Sequence, residues 1–272
     1  MRPRRVAQDV GPSGTYPNES GLVLVLNYIH FPDPKAYREG AERDGANIRS
    51  TFTDLNYIVE YHEDLSKPDT LSVLENMRQD RRLELVDSFI LIINTHGLDR
   101  KTFLTSDGET HDIEKSFLTS DGETHDIELI KLEFTNTKCP VLKHKPKILL
   151  ANCCRGTDIE KVRDNVAQGM GMLIMEDAEL AKARPKPRYS EKELPTHMAV
   201  ICSASEGIIS MRNKVTGSYF IQYLCDTLRE TPNTELSIVI NTIADKMKLE
   251  KLHHPTEMYK RPFRNFIFKF KV

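Results

Sequence analysis

A buried strand that ends in polar residues is predicted by the segment VDSFILIINTHG (Val86 to Gly97). Its run of aliphatic side chains is typical of a strand that is covered on both faces, as in a parallel sheet. The segment KILLANCCRG (Lys147 to Gly156) has the same pattern. Since ligands of open α/β sheets bind beyond the carboxyl ends of the strands, we expect the polar ends of these two segments to form the functional site.

The rest of the chain alternates between strand-like and helix-like segments. Further strands are expected at Gly21 to Ile29, Tyr57 to Tyr61, Met198 to Ala204 and Phe263 to Phe270. Helical periodicity is found near residues 46–55, from about Pro68, and over Gly217 to Glu230 and Leu236 to Leu249. Strands that alternate with helices predict an α/β sandwich with a mostly parallel sheet.

Composition and charge exclude several classes of protein. The 272 residues are 39% hydrophobic and 29% charged, which is normal for one large or two small globular domains. A formal net charge of −2 gives no electrostatic basis for binding nucleic acid or an anionic membrane surface. No apolar run has the length of a membrane span, and the N-terminus lacks the apolar stretch of a secretory signal. We therefore expect a cytoplasmic protein without nucleic-acid or membrane partners.

The cysteines do not form a recognisable disulfide framework, because five of them are irregularly spaced: Cys139, Cys153, Cys154, Cys202 and Cys225. We expect most of them to be small buried hydrophobic side chains. The sequence contains neither a CxxC pair nor an HExxH motif, so no metal site is predicted.

One segment is repeated. The stretch KTFLTSDGETHDIE (Lys101 to Glu114) is followed at once by KSFLTSDGETHDIE (Lys115 to Glu128), which differs at one position. Two copies are too few for a solenoid, so the repeat indicates a tandem duplication in a loop or an error in the gene model. We expect a surface excursion. The duplication by itself explains the symmetric placement of His111 and His125, and we do not interpret them as metal ligands.

A histidine and a cysteine at the two strand ends can carry chemistry. Cysteine attacks as a thiolate, and a nearby imidazole both lowers the pKa of the thiol and protonates the leaving amine. The glycines beside them allow close approach of backbone amides to a developing oxyanion. From spacing alone, a structural role is the favoured interpretation of His96, because a histidine beyond a strand is more often structural than catalytic.

The chain resembles the caspase family from about Gly21 to Val272. The pentapeptide NCCRG (Asn152 to Gly156) is similar to the family signature Q-A-C-[RQG]-G, whose histidine lies about fifty residues upstream. Here His96 precedes Cys154 by 58 residues, a separation that includes the duplication. Three further segments resemble family blocks: Tyr37 to Phe52, Cys139 to Gly156, and Ile209 to Cys225.

The resemblance implies a caspase-like three-layer α/β sandwich with a six-stranded, mostly parallel sheet between helices. It divides the chain into a short disordered leader (1–20), a large-subunit region (21–164) with the duplicated loop (101–128), an intersubunit linker (165–193) and a small-subunit region (194–272). The last of these would end in an edge strand, Phe263 to Phe270, at a dimer interface. A leader of this length does not hold a death-fold recruitment domain, which favours an executioner-like member.

The resemblance also implies an activity, the hydrolysis of protein substrates after aspartate without a metal or organic cofactor. Cys154 would be the nucleophile and His96 the general acid–base, with the backbone amides of Gly97 and Cys154 as the oxyanion hole. The substrate-binding residues would be Arg38, Asn152, Ser210, Met211, Arg212, Asn213 and Tyr219. Of these, Arg38 and Arg212 would bind the carboxylate of the P1 aspartate. Without the resemblance, a solvated surface arginine is the favoured interpretation of each.

Several positions depart from the family pattern. Asn152 is one methylene shorter than the signature glutamine, and losing a hydrogen bond to a charged group costs about 1.5–3 kcal/mol. Cys153 replaces an alanine, and Met211 and Tyr219 stand where the family has tryptophan. Two interpretations therefore stay open. One is an active endopeptidase that works as a homodimer or as a heterodimer with another caspase. The other is a weak or inactive homologue that regulates an active caspase by dimerisation.

Maturation by cleavage in the linker is also implied. We predict processing at the Asp177–Ala178 bond first and at Asp164–Asn165 second, because Ala178 crowds the leaving side least and Asp177 lies far enough along the linker to extend into a cleft.

Overall fold

The computed structural model describes residues 14–97, 103–104, 110–111, 116–153, 195–204, 210–249, 257–261 and 263–269. A six-stranded sheet lies at its centre. The strands are β1 (Gly21–Asn27), β2 (Ile58–Glu63), β3 (Ser88–Asn94), β8 (Lys147–Asn152), β9 (Met198–Cys202) and β12 (Glu257–Arg261). Their order is β12-β9-β8-β3-β1-β2, and all neighbours are parallel except β12 and β9. The predicted six-stranded, mostly parallel sheet is confirmed.

Helices cover both faces of the sheet. On one face, a hydrophobic core joins the sheet to α1 (Ala41–Asp54), α5 (Tyr219–Glu230) and α6 (Leu236–Leu249). On the other, a second core includes residues of α2 (Lys67–Arg78), α3 (Arg82–Leu85) and α4 (Ile127–Glu133). Alternate residues of β1 and β3 enter the two cores, which explains why these strands are apolar throughout. The predicted three-layer sandwich is therefore confirmed.

The register of the central strands aligns their polar ends. Asn27 of β1 lies opposite Asn94 of β3, and Asn94 lies opposite Asn152 of β8. Because parallel strands end at the same edge of the sheet, three asparagines on separate strands form one row there. This row is the floor of the site described below.

The edge strand of the small-subunit region is not the predicted one. The sheet ends in β12, at Glu257–Arg261. Of the expected strand Phe263 to Phe270, the described residues 263–269 form isolated bridges, from Asn265 to Thr15 and from Ile267 to Glu235. Its alternating pattern has another cause. Phe266 and Phe268 are buried in the core that faces α1, α5 and α6, so an extended segment packs on the helical layer instead of joining the sheet.

Residues 14–20, which the sequence pattern assigns to a disordered leader, are held in the domain. The Tyr16 amide donates to the Asn265 carbonyl at 2.9 Å. The buried Asn18 amide group donates to the Tyr57 hydroxyl at 2.8 Å and to the Ile267 carbonyl at 2.7 Å. Polar composition suggested disorder here, but these polar side chains have partners that are distant in sequence. Residues 1–13 lie outside the described part of the chain.

The two copies of the repeat form the same hairpin. In the first copy β4 (Phe103–Leu104) pairs with β5 (Thr110–His111), and in the second β6 (Ser116–Leu118) pairs with β7 (Thr124–Asp126) in the equivalent register. The second copy is not a surface excursion, since Phe117 is fully buried and bridges to Gly97. The expectation of a surface loop is wrong for this copy, because its phenylalanine fills the core beside Tyr28.

Two strands of two residues each, β10 (Arg212–Asn213) and β11 (Gly217–Ser218), form a hairpin before α5.

The expectation of buried cysteines is confirmed for Cys139, Cys153, Cys202 and Cys225. Among the residues described, no helix is both long and apolar enough to cross a lipid bilayer.

Candidate active site

A small polar cavity lies at the carboxyl ends of β3 and β8. Its lining combines the end of each strand with the turn before α1 and with the β10–β11 hairpin: Arg38, Thr95, His96, Asn152, Cys153, Ser210, Arg212 and Ser218. The structure thus brings together five of the predicted site residues, which come from four distant parts of the sequence. The cavity has a volume of about 20 Å³, which is space for roughly one water molecule.

His96 follows β3 and is oriented by a backbone carbonyl. Its Nε2 lies 2.7 Å from the carbonyl oxygen of Ala36. A carbonyl can only accept a hydrogen bond, so Nε2 carries the proton of the neutral ring and Nδ1 is the basic atom. Burial lowers the pKa of His96, and the positive charges of Arg38 and Arg212 lower it further, against an opposite effect of the Ala36 carbonyl. The ring is therefore neutral near pH 7 and suited to accept a proton.

The Ala36 carbonyl was not predicted from the sequence. It belongs to a short 3-10 turn, Pro34–Ala36. The amide of Lys35 in this turn donates to the side chain of Asp33 at 2.9 Å. The signal in the sequence is the tripeptide Asp33-Pro34-Lys35, since an aspartate before proline favours the start of such a turn. Which carbonyl meets the histidine is decided only by the packing of this turn against the end of β3.

The hairpin of the second repeat copy holds the backbone around His96. The Thr95 hydroxyl donates to the Leu118 carbonyl at 2.7 Å, and the Leu118 amide donates to the His96 carbonyl at 3.1 Å. Gly97, the predicted oxyanion-hole residue, pairs with Phe117. The repeated segment is therefore part of the wall beside the histidine.

Arg38 is a buried residue and not a solvated surface arginine. It is 2% exposed. Its Nη1 donates to the carbonyls of Tyr28 at 2.7 Å and Asn94 at 3.1 Å, and its Nη2 donates to Asn94 Oδ1 at 2.7 Å. Burial of a guanidinium is costly unless hydrogen bonds compensate its desolvation, and here the carboxyl ends of β1 and β3 supply them.

Arg212 is only partly buried and reaches the cavity from β10. Its Nε donates to the Glu39 carbonyl at 3.1 Å. This bond ties the β10–β11 hairpin to the turn that carries Arg38, so the two arginines line one cavity although they are far apart in the sequence.

Asn152 and Ser210 form a hydrogen-bonded chain along one wall. Asn152 Nδ2 donates to Asn94 Oδ1 at 2.7 Å. Ser210 Oγ donates to Asn152 Oδ1 at 3.1 Å and accepts from Ser203 Oγ at 2.8 Å. The side chain of Asn152 is thus held from both sides, with 2% of the residue exposed.

The other predicted substrate-binding residues lie outside the cavity lining. Asn213 Oδ1 accepts from the amides of Val215 and Thr216 and so closes the turn of the β10–β11 hairpin. Met211 is 39% exposed, and its carbonyl accepts from the amide of Tyr219, the first residue of α5, at 3.3 Å.

Three predicted residues lie outside the described part of the chain: Cys154, Asp164 and Asp177. Cys153, which directly precedes Cys154 in the sequence, is buried at the end of the cavity wall. The proposed roles of these residues stay predictions.

A buried carboxylate that the sequence did not single out supports the site. Asp44 of α1 accepts from the Ser218 amide at 2.7 Å, from the Ser218 hydroxyl at 2.6 Å and from Asn94 Nδ2 at 3.2 Å. Burial raises the pKa of Asp44, while the hydrogen bonds from Ser218 and the charge of Arg38 act in the opposite direction. Gly217 has φ +97°, and a side chain there would collide with this carboxylate, so the approach of the hairpin to Asp44 requires glycine.

The sheet and the cavity define an α/β sandwich protein with a buried arginine and a histidine at the carboxyl edge of parallel strands. The chain belongs to the caspase family, since the family model described as "Caspase domain" matches residues 20–266. The family resemblance of the sequence motifs is thereby confirmed.

Individual relatives agree with this assignment. The chain is 24% identical to Caspase Dronc of Drosophila melanogaster over 249 residues, which is 85% of this chain and 51% of that protein. It is 28% identical to Caspase-2 of Gallus gallus over 229 residues, with 81% and 50% covered. With Caspase-3 of Bos taurus it is 28% identical over 240 residues, with 86% and 75% covered. It thus spans about half the length of the first two relatives.

A solved structure has the same fold. The crystal structure of caspase-1 from Spodoptera frugiperda matches with a TM-score of 0.73 and 18% sequence identity, covering 99% of this chain and 98% of that one. This similarity confirms the caspase-like sandwich.

Proposed function

We propose that this chain is a cysteine endopeptidase that cleaves protein substrates after aspartate, in apoptosis or a related proteolytic cascade in the cytoplasm. The observation that carries the proposal is the burial of Arg38 in the wall of the cavity that His96 and Arg212 also line. A guanidinium held beside a neutral imidazole suits a substrate whose carboxylate lies next to the bond being cut. Membership of the caspase family supports the same reaction.

In the proposed reaction, His96 carries out the proton transfers and Cys154 the covalent step. The thiol proton of Cys154 moves to Nδ1 of His96, because Nε2 is engaged by Ala36, and the sulfur bonds to the scissile carbonyl carbon. The imidazolium then gives that proton to the leaving amine as the C–N bond breaks. Water hydrolyses the thioester with His96 as base, which regenerates the thiol. The amides of Gly97 and Cys154 would stabilise the oxyanion.

Selection of aspartate depends on the two arginines of the cavity lining, which are held differently. Arg38 is enclosed, whereas Arg212 lies on the β10–β11 hairpin and is only partly buried. We infer that Arg38 is the fixed partner of the P1 carboxylate and that Arg212 closes over it.

A second function is favoured by the residues that stand where the family has tryptophan. Met211, which is 39% exposed, and Tyr219 both lie outside the cavity lining. A chain that binds substrate weakly for this reason would hydrolyse little. It would instead regulate an active caspase by dimerisation.

Dimerisation would use the edge of the sheet. Among the strands of the described residues, β12 is the last of the sheet and pairs with β9, and an edge strand can pair with a strand of another chain. We propose β12, in place of the segment that follows it, as the contact in a homodimer or in a heterodimer with another caspase.

Maturation would proceed by cleavage of the linker, at Asp177–Ala178 first and at Asp164–Asn165 second. Treatment with an active caspase and N-terminal sequencing of the small fragment tests this order. A fragment that begins at Ala178 supports it, and one that begins elsewhere refutes the site.

Turnover of fluorogenic peptides tests the activity. We expect the purified, linker-cleaved chain to hydrolyse a peptide with P1 aspartate, with Cys154→Ala as the inactive control. Loss of activity on thiol alkylation and indifference to chelators are also expected. Absence of turnover would refute the endopeptidase. If the chain then alters the activity of an active caspase on mixing, the regulatory function is supported.

A further inference from the structure

Asn94 is the residue on which the polar network of the cavity converges. Its Oδ1 accepts from Arg38 Nη2 and from Asn152 Nδ2, both at 2.7 Å. Its Nδ2 donates to Asn27 Oδ1 at 2.7 Å and to Asp44 Oδ2 at 3.2 Å. Two acceptor sites and two donor hydrogens are all that a primary amide has, so the side chain of Asn94 is fully satisfied.

These four partners fix the orientation of the amide. Exchanging its oxygen and nitrogen would point the NH₂ group at the donors of Arg38 and Asn152, and the oxygen at the carboxylate of Asp44. Both contacts would be repulsive. Asp44 and Asn27 therefore determine that an oxygen faces the cavity side of Asn94.

The same amide links the two walls of the cavity. Through Asp44, which accepts from Ser218, Asn94 is tied to the β10–β11 hairpin and the start of α5. Through Asn152, which accepts from Ser210, it is tied to the segment that leads into Arg212. The other terminal nitrogen of Arg38, Nη1, donates to the backbone carbonyls of Tyr28 and Asn94.

We propose that Asn94 is a positioning residue that determines the acid selectivity of the pocket. It holds the guanidinium of Arg38 and the short amide of Asn152 as one rigid floor, at a depth that admits the carboxymethyl side chain of aspartate but not the longer side chain of glutamate. This inference rests on the proposed function, because it concerns the substrate pocket of the same site.

Asn94 and Asn152 together replace the longer glutamine of the family signature. Asn152 accepts from Ser210 in the cavity wall, and it shares Oδ1 of Asn94, which lies opposite it in the adjacent strand, with Nη2 of Arg38.

The test uses Asn94→Leu, which keeps the approximate volume and removes the amide. The matched control is Asn18→Leu. Asn18 is also buried and hydrogen-bonded, to Tyr57, Ile267 and Ser88, but it lies at the opposite, amino-terminal end of β3. Thermal unfolding of both variants measures the loss of stability that follows from removing any buried amide.

Two measurements distinguish positioning from stability. In the Cys154→Ala background, binding of fluorescein-labelled peptides that end in aspartate or in glutamate reports the pocket without catalysis. In the active chain, kcat and KM are measured on peptides with P1 aspartate and P1 glutamate. We expect Asn94→Leu to reduce the preference for aspartate over glutamate by about tenfold or more, mainly through affinity and KM, and Asn18→Leu to leave that ratio unchanged.

The outcomes separate this inference from the proposed function. If the active chain cleaves after aspartate and Asn94→Leu keeps both selectivity and KM, the inference fails while the function stands. If no peptide is cleaved but the Cys154→Ala chain binds aspartate peptides in an Asn94-dependent way, the function fails and the inference stands. If no peptide binds, both are overturned.

Discussion

Asn152 donates from Nδ2 to Oδ1 of Asn94 at 2.7 Å, across two parallel strands in which the residues lie directly opposite each other. In the sequence, Asn152 is a shortened substitute for the signature glutamine and predicts weaker binding of substrate. In the structure, the side chains of Asn152 and Asn94 have the same length and meet between the two strands, and both are buried.

The pair predicts the effect of lengthening Asn152. If the short amide limited activity, Asn152→Gln would raise kcat/KM on P1-aspartate peptides. We expect the opposite, a loss of about tenfold or more, because the additional methylene displaces the bonds to Asn94 and Ser210. Steady-state kinetics measure this, and equilibrium unfolding shows whether the variant is folded. An increase in kcat/KM would mean that the asparagine pair is not the working arrangement.

The charge of Arg212 predicts the titration of His96. Because the positive charges of Arg38 and Arg212 contribute to lowering the pKa of His96, Arg212→Gln removes a charge that opposes the imidazolium, and the pKa should rise. NMR titration of the imidazole in the Cys154→Ala background measures it without the thiol of the proposed nucleophile. The control is Lys214→Gln, whose side chain is 80% exposed and paired with Glu39. An equal shift in both variants would contradict a specific effect of Arg212.

Lys147 predicts a pH dependence of stability. The residue is 1% exposed, and its Nζ donates to the carbonyls of Leu142 at 2.7 Å and Lys145 at 3.1 Å. Burial lowers the pKa of Lys147 to about 8, against an unfolded value of about 10.4. Between these values the unfolded chain binds more protons, so the free energy of unfolding rises with pH.

Comparison with Lys147→Met isolates this contribution. From about pH 7 to about pH 10, the wild type should gain roughly 2–3 kcal/mol relative to the variant. Urea unfolding at both pH values measures the difference. A constant difference between the two proteins would show that Lys147 keeps an ordinary pKa in the folded state.

The repeat predicts a tolerated deletion. Removing Lys101 to Glu114 leaves only residues 98–100, 115 and 116 between Gly97 and its bridge partner Phe117, and an antiparallel pair accepts a connection of this length. We expect the free energy of unfolding to change by less than about 1 kcal/mol, since closure entropy varies slowly with loop length.

Phe117→Ala in the shortened chain provides the complementary measurement. Phe117 is fully buried, so its truncation should cost about 3–5 kcal/mol. A small cost would show that the second hairpin is not docked beside His96, and severe destabilisation by the deletion itself would show that the first copy is required.

Much of the architecture could be predicted because it depends on local pattern. The bounds of β8 and of α6 coincide with the apolar run KILLAN and the helical period Leu236 to Leu249. The polar residues after β3 and β8 pointed to the edge of the sheet where the cavity lies. The edge strand was misplaced because Phe266 and Phe268 alternate as in a strand although they pack on helices.

The sequence by itself determined five of the six strands of the central sheet, their parallel arrangement, the family motifs and the placement of His96 and Asn152 at two strand ends. Only the tertiary structure decided that Arg38 is buried, that the Ala36 carbonyl meets His96, that the second hairpin is docked, and that Asn94 joins the cavity walls through Asp44. The physical reason is that apolar periodicity depends on residues close together in the sequence, whereas the partners of a buried polar group come from segments that are distant in the sequence. Their distances and orientations exist only once the sheet and both helical layers have packed.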